Sequence, residues 1–326
     1  MRNISVVVPV YNSAEVLPAL VARLAPVLRK CAGEFELILV NDGSMDAAWL
    51  AINEMARQHD WVRGIDLMRN CGQHNALLCG IRAARYELIV TLDDDLQNPP
   101  EEIPKILAAL VDAVDVVYGT PQYEVHGIFR NLASQITKIV LQGVLGAKTA
   151  RMVGPFRVFR TDLRRAFDGY RGMYVNVDVL LTWGTTRFTA IRVRHDVRHQ
   201  GKSNYSLIKL VVHLMNMLTG FSTIPLQLST YIGLTVALSG IVLLGSVIGR
   251  YLLHGVAVQG FVFLASIIII FSGTQLFTLG VIGEYLARMH IRLLDRPAYV
   301  VRLAVPYETL LTVSINEEKY DQKIYP

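Results

Sequence analysis

Three consecutive carboxylates, Asp93, Asp94 and Asp95, follow directly on the apolar run Leu88-Ile89-Val90 and lead into Leu96-Gln97-Asn98-Pro99-Pro100. An apolar run of that kind reads as the end of a buried strand, so the acids spill from it into a loop. Neighbouring carboxylates repel one another, and burying them unpaired is costly. A divalent cation removes both difficulties. Asp93 and Asp95 can both reach one ion, with the amide oxygen of Gln97 nearby. Mg²⁺ typically takes one or two carboxylates together with substrate phosphates. An acidic solvated turn is the plain alternative. It loses weight because ligand crevices of open α/β sheets lie at the carboxyl ends of strands.

The elements that must position these acids alternate between strand and helix. Strands are expected at 4–10, 35–40, 62–67, 88–92 and 114–118, and helices at 14–29, 47–59, 75–85 and 101–111, with Ser13 as the cap of the first helix. Such alternation means βαβ units and a mostly parallel sheet covered on both faces. Polar groups gather after successive strands: Pro9, Tyr11 and Asn12 after the first, and Asn41, Asp42 and Ser44 after the second. Arg69, Asn70, Gly72, Gln73 and His74 follow the third, and the acid loop follows the fourth. Strand ends of one parallel sheet share an edge, so these loops converge. One Asp-Gly at a strand end is usually a turn, but four polar strand ends on one rim make a site. An aromatic, an acid for base or ribose, and a metal for phosphates suit a nucleotide diphosphate.

The composition has two regimes. Of 326 residues, 52% are hydrophobic and only 18% charged, high and low for a soluble chain. Residues 231–248 and 261–283 hold no formal charge. Each stretch is about long enough to cross a bilayer. Arg250, His254, Gly255 and Gly260 lie between them, so a two-span helical hairpin is expected. A buried helix pair in a soluble protein is the alternative. Arg194, Arg198, Lys202 and Lys209 precede the first stretch, and Arg288, Arg292, Arg296 and Arg302 follow the second. The positive-inside bias then puts both termini in the cytoplasm. Strand-forming Ile4-Ser5-Val6-Val7-Val8 stands where a secretory leader would carry its apolar core, so the first domain is expected to stay in the cytosol. The net charge of +5 is too small to argue for nucleic acid and suits anionic lipid headgroups. Residues 206–226 are apolar, with Lys209, His213 and Asn216 on one side. They are expected to form an interfacial helix, with a core helix as the alternative. Cys31, Cys71 and Cys79 lack metal-type spacing and read as free thiols in a reducing compartment.

The motifs carry a resemblance. Val6-Val7-Val8-Pro9-Val10-Tyr11-Asn12, Val40-Asn41-Asp42-Gly43-Ser44 and the acid loop resemble glycosyltransferase family 2, inverting enzymes with the GT-A fold. Asn70-Cys71-Gly72-Gln73-His74-Asn75-Ala76 and Leu96-Gln97-Asn98-Pro99-Pro100-Glu101-Glu102-Ile103-Pro104 resemble its polyprenyl-phosphate sugar transferases. So do Arg198-His199-Gln200-Gly201-Lys202-Ser203-Asn204-Tyr205, Gly283-Glu284-Tyr285-Leu286-Ala287-Arg288 and Arg296-Pro297-Ala298-Tyr299. The resemblance implies a GT-A domain over residues 1–205, an interfacial region at 206–226, a transmembrane hairpin at 227–288 and a cytoplasmic tail at 289–326.

It also implies site roles. Pro9, Tyr11, Asp42, Asn70, His74 and Asp93 would hold the nucleotide, and Asp93, Asp95 and Gln97 the metal, Mg²⁺ or Mn²⁺. Asp95, Arg198 and Arg157 would serve catalysis. Arg130 and Ser134 would take the lipid phosphate; their helical spacing puts both on one face with Lys138 a turn on, and a solvated helix face is the alternative for Arg130 and Lys138. The expected partners are a UDP-linked sugar, polyprenyl (undecaprenyl) phosphate and the cytoplasmic membrane, with a homo-oligomer left open.

The chain departs from the pattern in three places. Asn204 stands where Lys is usual, Pro121-Gln122 where an Arg is usual, and Met152-Val153-Gly154-Pro155-Phe156-Arg157 lacks an acid near the Phe. The chemistry tolerates that last loss, since an acceptor phosphate is ionised at neutral pH and attacks without a base. A processive polysaccharide synthase would want Gln-x-x-Arg-Trp, and Trp49, Trp61 and Trp183 sit in no such motif. A pyrophosphorylase would want a Gly-rich, Arg-bearing loop where Tyr11-Asn12-Ser13 stand. A non-catalytic membrane protein that binds the lipid carrier or assists a flippase is the alternative of a different class. The charge asymmetry has a direct test. Val258→Cys is expected to react with an impermeant thiol reagent in intact cells and Gln322→Cys is not; the reverse labelling would invert the orientation.

Overall fold

The computed structural model describes residues 1–121, 153–172, 175–196, 224–254, 260–294 and 296–306. They fall into two units, Met1–Ser206 with Asp295–Pro326, and Leu207–Leu294.

In the first unit the expected alternation is present. The order is β1 Arg2–Val10, α1 Leu17–Cys31, β2 Ala32–Asn41, α2 Ala48–Gln58, β3 Val62–Leu67, α3 Gln73–Ala83, β4 Leu88–Thr91, α4 Ile103–Ala108 and β5 Val116–Pro121. Then come β6 Arg157–Arg160, α5 Val177–Gly184, β7 Phe188–Val193 and, far along the chain, β8 Val301–Val305. The eight strands form one sheet in the order β7-β5-β6-β4-β1-β2-β3-β8. Pairing is parallel between β1 and β2, β1 and β4, β2 and β3, and β5 and β7. β6 runs against β4 and β5, and β8 against β3. The sheet is therefore mostly parallel.

Period-2 alternation divides the core between the two faces. Ile4, Val6, Val8 and Val10 of β1 pack with Leu17, Leu20, Leu24 and Leu28 of α1 on one face. Val7, with Ile38 and Val40 of β2, packs with Ala76, Leu77 and Leu78 of α3 and Leu180 of α5 on the other. Strand runs of continuous Val, Ile and Leu follow from this double covering.

Of the expected boundaries that move, three have a local physical reason. Helix α1 begins after Val16, with no side-chain cap bond, so Ser13 does not cap it. Helix α3 begins earlier than 75, because Gly72 at φ 95° turns the chain there. The helix expected at 101–111 is a short 3-10 turn, Pro100–Glu102, followed by α4, in a segment holding Pro99, Pro100 and Pro104.

The second unit consists, among the described residues, of α6 Ile224–His254 and α7 Phe261–Leu293. Both are apolar and exposed along their length, through Leu234, Leu238 and Val242 on α6 and Ile268, Leu276 and Leu279 on α7. A Cβ on Gly240 would lie 2.6 Å from Phe271 Cζ, so the two helices meet there without room for a side chain. Among the described residues one segment, Ile224–Leu243, is long and apolar enough to cross a membrane. Most of the region expected to be interfacial, 206–226, lies outside the described residues.

Gly80 sets the approach of α3 to the sheet. A Cβ there would overlap Val7 Cγ1 and lie 3.0 Å from Val40 Cγ2. Alanine gains about 1 kcal/mol of helix propensity over glycine, but overpacking a tight core costs about 1–3 kcal/mol. Gly80→Ala is therefore expected to lower the unfolding temperature; a higher one would show that α3 can back away from β1.

Candidate active site at the carboxyl edge of the sheet

The rim is a set of loops bonded to one another. After β2, Gly43 takes φ 65°, and a Cβ on it would sit 2.5 Å from the backbone of Arg69 and Asn70. The β2 loop therefore lies directly against the β3 loop. There Asp42 accepts hydrogen bonds from the backbone N–H of Cys71 (2.7 Å) and Gly72 (2.9 Å). Both donors stand at the amino end of α3, where unpaired N–H groups and the helix dipole favour an anion. Burial pushes the Asp42 carboxyl above its ordinary value, and the two N–H bonds pull it part of the way back. A raised acid stabilises the fold at low pH, and that contribution is lost as pH rises through the raised value. The ionised form of Asp42 is thus held at some expense to stability.

After β1 the chain turns at Asn12, φ 53°. Its N–H donates to Ser44 Oγ (3.0 Å), and its Oδ1 accepts from Met45 N (2.8 Å). Tyr11 beside it is 48% exposed, leaving its ring available on the rim.

The acid loop after β4 is divided in its duties. Asp94 turns inward: its Oδ2 accepts from Tyr11 N (3.3 Å) and from Ser13 Oγ. Burial pushes its carboxyl up, the bonds from Ser13 and Tyr11 oppose this, and the neighbouring Asp95 adds to it. Asp93 accepts from Gln73 Nε2 (2.6 Å), and Asp95 Oδ1 accepts from Gln97 N (3.1 Å). Leu96 between them takes φ 59° and is buried.

Beneath the loop lies a buried polar cluster. Arg157, 1% exposed, donates from Nε to Thr91 Oγ1 (2.9 Å) and from Nη1 to Asp178. Tyr118 also donates to Asp178 (2.9 Å), and burial, then the Asp178 charge, drives its phenol well up. Thr91 donates to Pro155 O (2.9 Å). Asn176 caps α5, accepting from Asp178 N and Val179 N. At the same turn Val177 N donates to His74 Nδ1 (3.4 Å).

Tyr11, Asp42, Asn70, Asp93, Asp95 and Gln97 thus stand on adjoining loops of one edge, His74 stands in the first turn of α3 beside them, and Pro9 is buried in β1. Arg157 does not join them. Its guanidinium is bonded to Thr91 and Asp178 beneath the end of β4. Arg130, Ser134, Lys138 and Arg198 lie outside the described residues.

The Glycosyl transferase family 2 model matches residues 5–167. The chain is also 34% identical over 322 residues, 98% of its own length and 98% of the relative's, to the undecaprenyl-phosphate 4-deoxy-4-formamido-L-arabinose transferase of Pectobacterium atrosepticum. The chain belongs to glycosyltransferase family 2. A like-named transferase of Proteus mirabilis is 33% identical over 308 residues, 94% of either chain. Among solved structures, glucosyl-3-phosphoglycerate synthase of Mycobacterium tuberculosis aligns with a TM-score of 0.50 and 17% identity, over 67% of this chain and 78% of that one. The same synthase in complex with Mn²⁺, UDP-glucose and phosphoglyceric acid gives a TM-score of 0.50 at 16% identity. These last likenesses show a shared fold.

For a family 2 glycosyltransferase, the donor set at the β4 end fits a divalent cation in kind: two hard carboxylates, Asp93 and Asp95, flank one that is already bonded inward. Among the described residues no three His, Cys, Asp or Glu side chains gather for a metal. An ion here would draw its remaining ligands from phosphate oxygens, the usual habit of Mg²⁺.

Two rim supports escaped the sequence. Asp94 was one acid of three, with nothing to set it apart. Asp178 lies in the apolar run Val177-Asp178-Val179-Leu180-Leu181, and a single acid inside such a run is the signal that a buried cation faces it. Removing one partner of a buried pair costs about 3–5 kcal/mol, whereas replacing both with apolar groups costs far less. Asp178→Ala is therefore expected to depress the unfolding midpoint sharply, and Arg157→Met with Asp178→Leu to restore most of it. Equal loss in both would show that the pair is not what holds this corner.

Proposed function

We propose that the chain transfers a sugar, with inversion, from a UDP-sugar to undecaprenyl phosphate at the cytoplasmic membrane face. The product would be a lipid-phosphate-linked sugar for envelope glycan or lipopolysaccharide modification. One observation carries this reading. The likeness to undecaprenyl-phosphate transferases covers 98% of both chains, so it runs through α6 and α7 to the tail. A likeness confined to the family 2 domain would end near residue 167.

In this reading Tyr11 and Asp42 receive the base and ribose, with Pro9, Asn70 and His74 around them. Asp42 is already oriented by two N–H bonds, so it accepts a hydrogen bond without reorganising. Asp93, Asp95 and Gln97 hold Mg²⁺ or Mn²⁺, which when bound neutralises charge on the diphosphate. Arg198 would reach the donor phosphates or the active-site loop, and Arg130 and Ser134 would hold the acceptor phosphate, a task suited to the planar fork of arginine. One acceptor-phosphate oxygen forms a bond to the anomeric carbon as that carbon's bond to the diphosphate breaks. The bonding pair leaves with UDP. No proton moves, so no carboxylate base is required, and the work left is alignment of two bound reactants. The exposed apolar helices α6 and α7 form the two-span anchor of this reading. The arginines and lysines on either side of them face the cytoplasm.

The reading is tested with purified protein, undecaprenyl phosphate, Mg²⁺ and a panel of UDP-sugars, the lipid product being identified by mass. One sugar is expected to give a product of the mass of the sugar-phosphate lipid. Asp95→Asn is expected to abolish turnover, since a metal contributes several kcal/mol of charge stabilisation in such a transition state. Full turnover in Asp95→Asn, or in excess EDTA, would remove the metal from the reaction. Absence of product with every UDP-sugar would overturn the donor class.

A further inference from the structure

Strand β8 follows the helical hairpin in the chain yet completes the sheet next to β3. The pairing aligns Asp66 with Leu303 and Leu67 with Val301, so Arg302 is the extra residue at an irregularity in the ladder. A bulge re-aims the side chain it carries. Here Arg302 donates from Nη2 to Met68 O (2.8 Å) and pairs from Nη1 with Asp66 Oδ2 (3.7 Å). Asp66 is buried, and its Oδ1 accepts from Asn41 Nδ2 (2.7 Å). Asn41 Oδ1 in turn accepts from Ser44 N (3.3 Å), and Ser44 Oγ accepts from Asn12 N (3.0 Å). The tail is fastened just before this strand. Val300 O accepts from Met68 N (2.9 Å), and Tyr299, itself buried, accepts from Arg82 Nη1 (3.3 Å).

We infer that Arg302 is a positioning residue of the donor site, acting through Asp66 and Asn41 on the loops that carry Asp42 and Tyr11. The inference rests on the reading of this rim as the nucleotide site. The series links the ends of β8, β3, β2 and β1 in turn: Arg302 meets Asp66 as an ion pair, and each later member holds the next through one hydrogen bond. Arg302 also neutralises Asp66, leaving the Asp66 carboxylate to fix the Asn41 amide in one orientation. Without that cation, Asn41 and Ser44 lose their anchor and the loop bearing Asp42 gains freedom that nucleotide binding must remove. The segment after the hairpin is by this argument part of the catalytic apparatus and not a trailing end.

The experiment uses the full-length protein in detergent, with UDP as the calorimetric probe and the transfer assay for kinetics. Arg302→Ala is expected to weaken UDP about ten-fold and raise the donor KM similarly, within the range of lost charged hydrogen bonds. The KM for undecaprenyl phosphate should stay put, and the unfolding temperature should move by no more than about 2 °C, as for a surface side chain. A role confined to the sheet edge would shift the unfolding temperature and leave UDP affinity alone, and that result overturns the inference. If Arg302→Ala also lowers the unfolding temperature, Arg302→Lys decides. It keeps a cation on Asp66, so recovered UDP affinity supports the series, and affinity as weak as alanine's overturns it. Failure of the unaltered protein to bind UDP would instead count against the donor reading itself.

Discussion

A carboxylate at the end of a buried strand must find donors, and in a parallel sheet the nearest donors belong to the loop of another strand. That constraint organises this rim. Asp42 of the β2 loop is held by N–H groups ahead of α3, and Asp94 of the β4 loop by Tyr11 and Ser13 of the β1 loop. Asp66 of β3 is met by Asn41 of β2 and Arg302 of β8. No loop is fixed by its own residues alone. The order β4-β1-β2-β3-β8 is therefore a requirement of the site as much as of the core, because a different neighbour would leave a buried acid unpaired.

The same constraint explains what could be read from the sequence. Strands and helices of the first third were legible because apolar periodicity is local, and the convergence of Tyr11, Asp42, His74 and Asp93 followed from parallel strand ends. Ser13 was misread because a serine before a helix usually caps it, whereas here a distant acid, Asp94, takes its hydroxyl. Arg157 of β6 stands in a motif, but its partner Asp178 lies on α5, 21 residues on, and nothing local in the sequence marks the pairing. β8 was invisible for a related reason. A short apolar stretch after a hairpin has no local sign of the strand it will join, and the meaning of Arg302 depends on a one-residue irregularity in that pairing.

The two units face opposite demands. The sheet domain keeps its apolar side chains inside, with Val6, Val7 and Leu39 fully buried, while α6 and α7 present Leu238, Val242, Ile268 and Leu276 outward. The proposed reaction, between a water-soluble donor and a lipid phosphate, needs both surfaces in one chain. In that proposal the arginines and lysines flanking the apolar helices face the side on which the nucleotide sugar is found.

The missing acid near Phe156 fits this chemistry. An acceptor hydroxyl would need a carboxylate of suitably raised pKa within reach of its proton. The buried acid bonded to Arg157 is Asp178, and it accepts from both Arg157 and Tyr118. An acceptor phosphate makes no such demand, because it arrives ionised. The position that could have carried a base is thus free to serve stability, and Arg157, Asp178, Tyr118 and Thr91 use it to lock the end of β4 under the Asp93–Asp95 loop. What the active site must then supply is charge and alignment, and both depend on loops held rigid from beneath and from the side.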